Sequence, residues 1–345
     1  MAVTESWSAR GTAQLLHVED QSLVGAARRA AMGMGGAVGF GETDVAAVGV
    51  IATELAGNLV KHARGGHLLL QPLAHGERAG VELLAIDRGP GMADPDRCIV
   101  DGYSTAGTPG TGLGAVRRMA HEFDLHSQPG KGTVLVARRC AGQAPLSAGQ
   151  RVGAVCVPHP SEPVSGDDWC AVVHGERGYL MVVDGLGHGM LAHAAAERAV
   201  ELFRELAPRP PGELLSRLHD PLRGTRGAAI LVAEVDSAGG AIRCAGVGNV
   251  AGTVVSGDQT RSLVSHSGIV GHQMVRVQEF TYPWTEGAML VIASDGIRTQ
   301  WRLDAYAGVA RRHPSVVAAL LWRDFSRGRD DATVLVLGPT NASHP

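Results

Sequence analysis

Apolar positions recur at helical spacing over residues 21–33 and 44–63, and the second stretch opens at Thr43-Asp44, whose short oxygen-bearing side chains suit a helix start. Three apolar runs of strand length lie at 68–73, 81–86 and 133–137, with a further helix expected over 112–122 between the last two. Over 140–150 the pattern gives way to CAGQAPLSAGQ, a small, polar stretch that reads as a linker. Beyond it, strand-like runs fall at 152–157, 171–174, 179–183, 229–235, 241–245, 289–292 and 333–337. One helix interrupts them at about 190–206, with Leu191, Ala194, Ala195, Leu202, Phe203 and Leu206 as an apolar stripe expected in the core. The pattern predicts an α+β chain of two domains, 1–139 and 151–340, without internal repeats.

The length of 345 residues suits two domains. A hydrophobic share of 45% against 19% charged excludes disorder as the main state. Thirty-one basic residues against 34 acidic ones leave no electrostatic footprint for nucleic acid or anionic membrane, so neither is expected as a partner. Five cysteines with no C-x-x-C pair fit a reducing cytoplasm better than a disulfide framework. Glu5, Ser6 and Arg10 interrupt the N-terminus, and no later segment holds about 18 uncharged apolar residues, so export or membrane spanning is not expected. Glycine, at 47 residues, is the outlier, and its clusters mark loops where backbone can approach a ligand.

In the helix at 44–63, Glu54, Asn58 and Lys61 share one face. A solvated face would look the same, and the loops that follow shift the balance. The strand at 81–86 ends in Asp87-Arg88-Gly89-Pro90-Gly91, and Gly110-Thr111-Gly112-Leu113-Gly114 opens the next helix, where free backbone N–H groups suit phosphate oxygens. No strand precedes that second loop, so a Rossmann reading fails, and Gly130-Lys131-Gly132-Thr133 lacks the spacing of a P-loop. The order E-x-x-x-N, D-x-G-x-G, G-x-G-x-G and Gly132-Thr133 resembles the GHKL (Bergerat) ATP-binding fold, most closely the anti-sigma-factor serine kinases of the RsbT and RsbW type, over roughly 15–138. The resemblance implies that Asn58 holds Mg²⁺ against ATP and that Asp87 accepts the adenine amino group. By the same resemblance Gly89 and Gly91 admit the base, Gly110, Gly112 and Gly114 cradle phosphate, Thr133 supports the adenine contact, and Glu54 activates a protein serine hydroxyl. ATP binding without transfer would need nearly the same residues. His62 and His67 read as surface or packing histidines.

The second half places carboxylates beside small residues: Ser165-Gly166-Asp167-Asp168, Asp184-Gly185-Leu186-Gly187-His188-Gly189, Ser294-Asp295-Gly296 and Asp330-Asp331-Ala332-Thr333. One Asp-Gly pair is an ordinary turn, but four acidic loops supply enough oxygen for two hard cations. The series G-D, D-G-x-G-H-G, G-N (Gly248-Asn249), S-D-G and D-D-x-T resembles the SpoIIE-type branch of the PPM protein phosphatases, an α-β-β-α sandwich. The resemblance implies two Mn²⁺ or Mg²⁺ ions bridged by Asp184, ligated by the Gly185 carbonyl, Asp295 and Asp330, with Asp167 at the early acidic position. Water activated by the ions would then replace a Ser or Cys nucleophile. Asp331 competes with Asp330 as the ligand. His188 fits equally as a proton donor to the leaving oxygen or as a packed turn residue. Pro163-Val164-Ser165 precede Gly166 where the larger members of the family carry an arginine, which leaves phosphate recognition to the metals or to Arg298 or Arg327.

Together these resemblances imply a cytoplasmic, metal-dependent phosphoserine/phosphothreonine protein phosphatase with an ATP-binding regulatory domain. Its implied substrate is a phosphorylated STAS-domain anti-anti-sigma protein in a bacterial partner-switching pathway, with a sigma factor or anti-sigma factor as further partner and a homodimer compatible. The alternative is an ATP-dependent partner-binding or serine-kinase switch whose phosphatase is accessory.

Overall fold

The computed structural model describes residues 4–9, 11–76, 78–99, 112–142, 152–273 and 277–339. Its contacts define two units. The N-terminal unit is Arg10–Leu146 with Tyr306–Leu320; the C-terminal unit is Met1–Ala9, Ser147–Ala305 and Leu321–Pro345. Two short segments are thus exchanged across the single boundary that the sequence suggests. The greater part of that boundary, 143–151, lies outside the described residues.

The first strand, β1 (Thr4–Ala9), belongs to the C-terminal unit. The N-terminal unit then runs β2 (Gln14–Val18), α1 (Gln21–Ala37), α2 (Glu42–Ala63), β3 (Gly66–His75), β4 (Arg78–Ile86), α3 (Pro95–Ile99), α4 (Gly112–Met119), β5 (Glu122–Gln128) and β6 (Gly132–Cys140). Its strands pair antiparallel in the order β2-β3-β4-β6-β5. Apolar residues of α2, among them Val48, Ile51, Leu55 and Leu59, pack on Leu68, Leu70, Val81 and Leu83 of the sheet. By length and composition α2 could cross a membrane, but this apolar face is buried in the unit's core.

Period-two alternation sends Glu82 and Arg138 to the opposite face, where both are buried and paired. Residues 306–320 close over them: the Ser315 hydroxyl accepts from Arg138 Nη2 at 2.8 Å and donates to Glu82 Oε2 at 2.7 Å. Glu122 joins the network through Arg138 Nη1 at 3.1 Å and His313 Nε2 at 3.0 Å, and the His313 backbone N–H donates to Asp124 Oδ2 at 2.5 Å.

Two expectations are corrected here. The helix expected over 112–122 stops at Met119, because the His121 N–H already bonds to the Arg138 carbonyl at 2.8 Å and starts the pairing of β5 with β6. Helix α2 starts at Glu42 after Gly41, without a side-chain cap. Asp44 instead takes Arg139 Nε and Nη2 at 2.8 and 2.6 Å.

The C-terminal unit continues with β7 (Val152–Val157), β8 (Asp167–His174), β9 (Arg177–Gly185), α5 (Met190–Leu206), α6 (Pro211–Leu222), β10 (Ala228–Asp236), β11 (Ala241–Val247), β12 (Ala251–Ser256), β13 (Gln259–Leu263), β14 (Phe280–Pro283) and β15 (Met289–Ala293). Helix α7 (Pro314–Phe325) and strand β16 (Ala332–Leu337) complete the chain. One antiparallel sheet has the order β14-β11-β10-β9-β8-β1 and the other β13-β12-β15-β16-β7. They face each other where β7 and β16 meet β8 and β15 meets β9. Helices α5 and α6 cover the first sheet, with Phe203, Leu214 and Leu218 against Met181, Ile230 and Val232.

Of the stripe read on α5, Ala195, Leu202 and Phe203 are buried and Leu206 packs on the core; its two N-terminal members differ. Leu191 is 60% exposed and Ala194 is exposed, whereas Ala192, Ala195, Ala196, Ala199 and Phe203 face inward. The reason is close approach: a Cβ on Gly185 would stand 2.3 Å from the Ala192 carbonyl, so this part of the helix lies on backbone where only small residues fit.

Candidate functional site

In the N-terminal unit, α2 carries Glu54 and Asn58 to its polar side, both half-buried. Gly112, at the start of α4, lies against them: a Cβ there would be 2.8 Å from Glu54 Oε2 and 3.9 Å from Asn58 Oδ1. The glycine-rich helix start and the acid–amide pair therefore share one place. Gly114 is buried within α4; Gly110 lies outside the described residues.

Asp87, just past β4, is fixed by its own surroundings. Its Oδ1 accepts the Gly89 N–H at 2.8 Å and the Thr133 N–H at 3.1 Å, and its backbone N–H donates to the Thr133 carbonyl at 2.9 Å. Thr133 Oγ1 lies 2.9 Å from Ser127 Oγ, which accepts the Met92 N–H at 2.8 Å. Gly91 has φ +70 and a Cβ there would fall 2.0 Å from the Gln128 carbonyl, so the loop after Asp87 is pressed onto the β5–β6 turn. Asp87, Gly89, Gly91 and Thr133 thus come together at this loop. His62 is exposed, and His67 packs its ring 4.8 Å from His17, in line with surface and packing roles.

In the C-terminal unit, antiparallel register sets Asp167 at the start of β8 opposite Asp184 near the end of β9. Asp168 points away by strand alternation, toward His193 and Glu197 of α5, where burial pushes its carboxyl up to about 7. Asp295 and Asp330-Asp331 come from loops that lock together. The Ser294 N–H donates to the Thr333 carbonyl at 3.0 Å, the Thr333 N–H to Ser294 Oγ at 2.9 Å, and a Cβ on Gly296 would fall 1.9 Å from the Asp331 carbonyl. Asn249 Nδ2 donates to Asp295 Oδ2 at 2.5 Å. Gly248 permits this turn with φ +97 and no room for a Cβ beside Ala229.

These carboxylates act on one another. Burial, then Asp295, Asp330 and Asp331, raise Asp184 to about 7. Burial and the neighbouring Asp184 raise Asp167, and burial and Asp330 raise Asp295 against the opposing pull of Asn249 and Arg327. Asp331 is also raised by burial, although the His159 backbone N–H reaches its Oδ1 at 2.8 Å. Asp330 thus lies near enough to act on Asp184 and Asp295, and Asp331 on Asp167 and Asp184.

Asp167 Oδ2 and Asp331 Oδ2 are buried and accept no hydrogen bond of normal geometry, although Ser294 and Thr333 lie close enough to act on Asp167 and the Gly166 N–H on Asp331. Such oxygens among mutually repelling carboxylates are the electrostatics of a place short of positive charge, and the all-oxygen donor set suits Mg²⁺ or Mn²⁺. Among the described residues no three His, Cys, Asp or Glu side chains form a ready ligand cage. A hard cation that keeps part of its water shell fits this looser set.

Sequence reasoning missed the surroundings of His188. Its Nδ1 is 2.7 Å from Glu162 Oε1, and its ring stacks on His159 at 4.8 Å. Neither partner lies in a motif, and Glu162 is 26 residues away in sequence. Arg298 is turned to the Ser326 carbonyl at 3.3 Å, whereas Arg327 lies close enough to Asp295 to act on it. Cys156, Cys170 and Cys244 are buried, their thiols pushed up by desolvation, as core cysteines should be.

Residues 174–339 match the family model of Stage II sporulation protein E (SpoIIE), and residues 18–139 match that of the histidine kinase-like ATPase domain. The serine/threonine-protein kinase RsbT of Bacillus subtilis (strain 168) is 36% identical over 112 residues, which cover 32% of this chain and 84% of RsbT. A solved structure described as "The bacterial stressosome: a modular system that has been adapted to control secondary messenger signaling" aligns at 27% identity and a TM-score of 0.52, covering 55% of this chain and 98% of that one. The phosphatase-domain structure of SpoIIE from Bacillus subtilis aligns at 16% identity and a TM-score of 0.46, covering 75% and 79%.

Fold and matches define the chain as a SpoIIE domain joined to a histidine kinase-like ATPase domain. Through its N-terminal half the chain belongs to the RsbT family, and its C-terminal half is a SpoIIE-type domain.

Proposed function

We propose that the protein is a cytoplasmic, divalent-metal-dependent phosphatase that removes phosphate from a phosphorylated STAS-domain anti-anti-sigma protein, and that ATP with Mg²⁺ on the N-terminal unit sets when it does so. The observation that carries the reading is the meeting of Asp167, Asp184, Asp295, Asp330 and Asp331, with two buried oxygens that accept no hydrogen bond of normal geometry.

In this reading Asp184, Asp295 and Asp330, with the Gly185 carbonyl, hold the cations, and Asp167 and Asp331 support them. Bound there, two divalent ions supply an activated water and neutralise phosphoryl oxygens. Asn249 orients Asp295, and the His159 N–H orients Asp331. Glu162 occupies His188 Nδ1, which leaves Nε2 to exchange a proton with a departing serine oxygen. In the N-terminal unit Asn58 holds Mg²⁺, Asp87, Gly89, Gly91 and Thr133 receive the base, and Gly110, Gly112 and Gly114 receive phosphate. The placement of Glu54 beside Gly112 supports a second activity, transfer of the terminal phosphoryl group to a protein serine.

The test is Mn²⁺-dependent phosphate release from a phosphorylated STAS-domain protein by wild type, Asp184→Asn and Asp295→Asn. Release that needs the metal and both carboxylates supports the phosphatase; none from the wild type refutes it. Labelled ATP with Glu54→Gln and Asn58→Ala separates transfer from binding: loss of transfer with retained nucleotide binding in Glu54→Gln assigns Glu54 to the chemistry.

A further inference from the structure

Among the described residues four large apolar side chains are exposed, and three of them lie within six positions: Leu186 at 49%, Met190 at 63% and Leu191 at 60%. Single exposed leucines are common on protein surfaces, but three on one short turn are not. They follow directly on Asp184-Gly185. The turn is fixed in place, since the Leu186 N–H donates to the Gly227 carbonyl at 3.0 Å and α5 is pressed onto Gly166 and Gly185.

The same hydrogen bond brings Arg226 alongside. Its Nη1 lies 2.9 Å from the point where a Cβ on Gly187 would sit; the side chain is exposed and makes no hydrogen bond or ion pair among the described residues. An exposed, unpaired guanidinium beside Gly187, in the turn that follows Asp184-Gly185, is complementary to a dianionic phosphate.

We propose that Leu186, Met190, Leu191 and Arg226 form the docking surface for the substrate: a phosphoseryl protein whose phosphoserine is flanked by apolar side chains. Arg226 takes the phosphate and the three apolar residues take the flanks. The surface follows Asp184-Gly185 directly along the chain, and the inference rests on the phosphatase reading above.

Two phosphoserine peptides of equal length, one flanked by leucines and the other by serines, test it in the full-length protein with Mn²⁺. Wild type should favour the leucine-flanked peptide about tenfold or more in kcat/KM, and Met190→Gln/Leu191→Gln should bring the ratio close to one. The ratio is internal to each sample, so partial loss of folded protein does not move it, and Leu186→Gln provides an independent variant. Arg226→Ala should raise KM for both peptides and weaken competitive inhibition by inorganic phosphate, with Arg226→Lys between it and wild type. Equal turnover of the two peptides by wild type, or a preference that survives all three apolar substitutions, overturns the proposal. If neither peptide is turned over, the phosphatase reading fails on its own, and anisotropy with fluorescent peptides and Asp184→Asn still decides docking. A leucine preference in binding that Met190→Gln/Leu191→Gln abolishes supports the surface; equal binding of the two peptides refutes it.

Discussion

A single side-chain amide holds the Asp295 carboxylate. With Asn249 Nδ2 at 2.5 Å, one oxygen of Asp295 is engaged and the other is oriented, although burial and Asp330 disfavour its charge. Asn249→Ala removes that restraint without touching an acidic residue. Supporting groups of this kind typically account for about 10–100-fold in metal affinity. The expected result is an increase of about tenfold in the Mn²⁺ concentration that gives half-maximal phosphate release, read by a metal titration. In the N-terminal unit the sensitive position is Gly91, whose φ of +70 and 2.0 Å approach to the Gln128 carbonyl leave no space for a methyl group. Gly91→Ala should cost about 1–3 kcal/mol from backbone strain, with further loss from the clash, and should weaken binding of a fluorescent ATP analogue. Urea unfolding and a nucleotide titration on the same sample read both effects.

At the scale of elements, strand β5 shows why part of the fold was hidden. Its sequence EFDLHSQ alternates apolar Phe123 and Leu125 with Glu122, Asp124 and His126, but the run is short and polar, and the helix expected over 112–122 takes in its first residue. The charged residues instead face a buried polar layer, where Arg138 and His313 answer Glu122, and Arg312 and the His313 N–H answer Asp124. Such a layer has no sequence signature, because its partners are 16 and 191 residues from Glu122. Its electrostatics give a pH dependence. Burial alone would raise the Glu122 carboxyl, but Arg138 and His313 outweigh it and hold it at about 2 against its ordinary 4.5. A lowered folded-state value means stability that is present above about 4.5 and lost as the pH falls toward 2, on the order of 3 kcal/mol in all. His313, lowered by burial from its ordinary 6.5, adds a loss in the same direction as acid forces it to protonate. The urea midpoint should therefore fall between about pH 5 and about pH 3, and Glu122→Gln should flatten that fall. Arg138→Met leaves Glu82 buried without its cation and should cost about 3–5 kcal/mol at neutral pH. The double variant Arg138→Met/Glu82→Leu should recover most of it.

For the whole molecule, the chemistry was more legible than the chain path. Asp184, Asp295 and the Asp330-Asp331 pair could be picked out because each sits in a short motif at a strand end, where glycine and acid together signal a ligand loop. Leu191 was misplaced because helical spacing gives a stripe but not how its first turn sits, which Ala192 against Gly166 and Gly185 decides. The exchanged segments had no signal at all: residues 1–9 look like an ordinary N-terminus, and 306–320 lies inside the SpoIIE match although it belongs by contacts to the N-terminal unit. A cut at the apparent linker should therefore fail to give two healthy domains. A fragment of residues 1–146 lacks Ser315 and His313, leaving Glu82, Arg138 and Glu122 without the segment that bonds to them; a fragment of 147–345 lacks β1, which pairs with β8 from Ser8↔Cys170 to Thr4↔His174. Each alone is expected to melt well below the intact protein, followed by circular dichroism. Appending residues 306–320 to the first fragment through a flexible linker should restore a cooperative transition. Melting of the bare 1–146 fragment at the temperature of the intact protein would show instead that the buried polar layer contributes nothing to the stability of that unit, which the pairing of Glu82, Arg138 and Ser315 argues against.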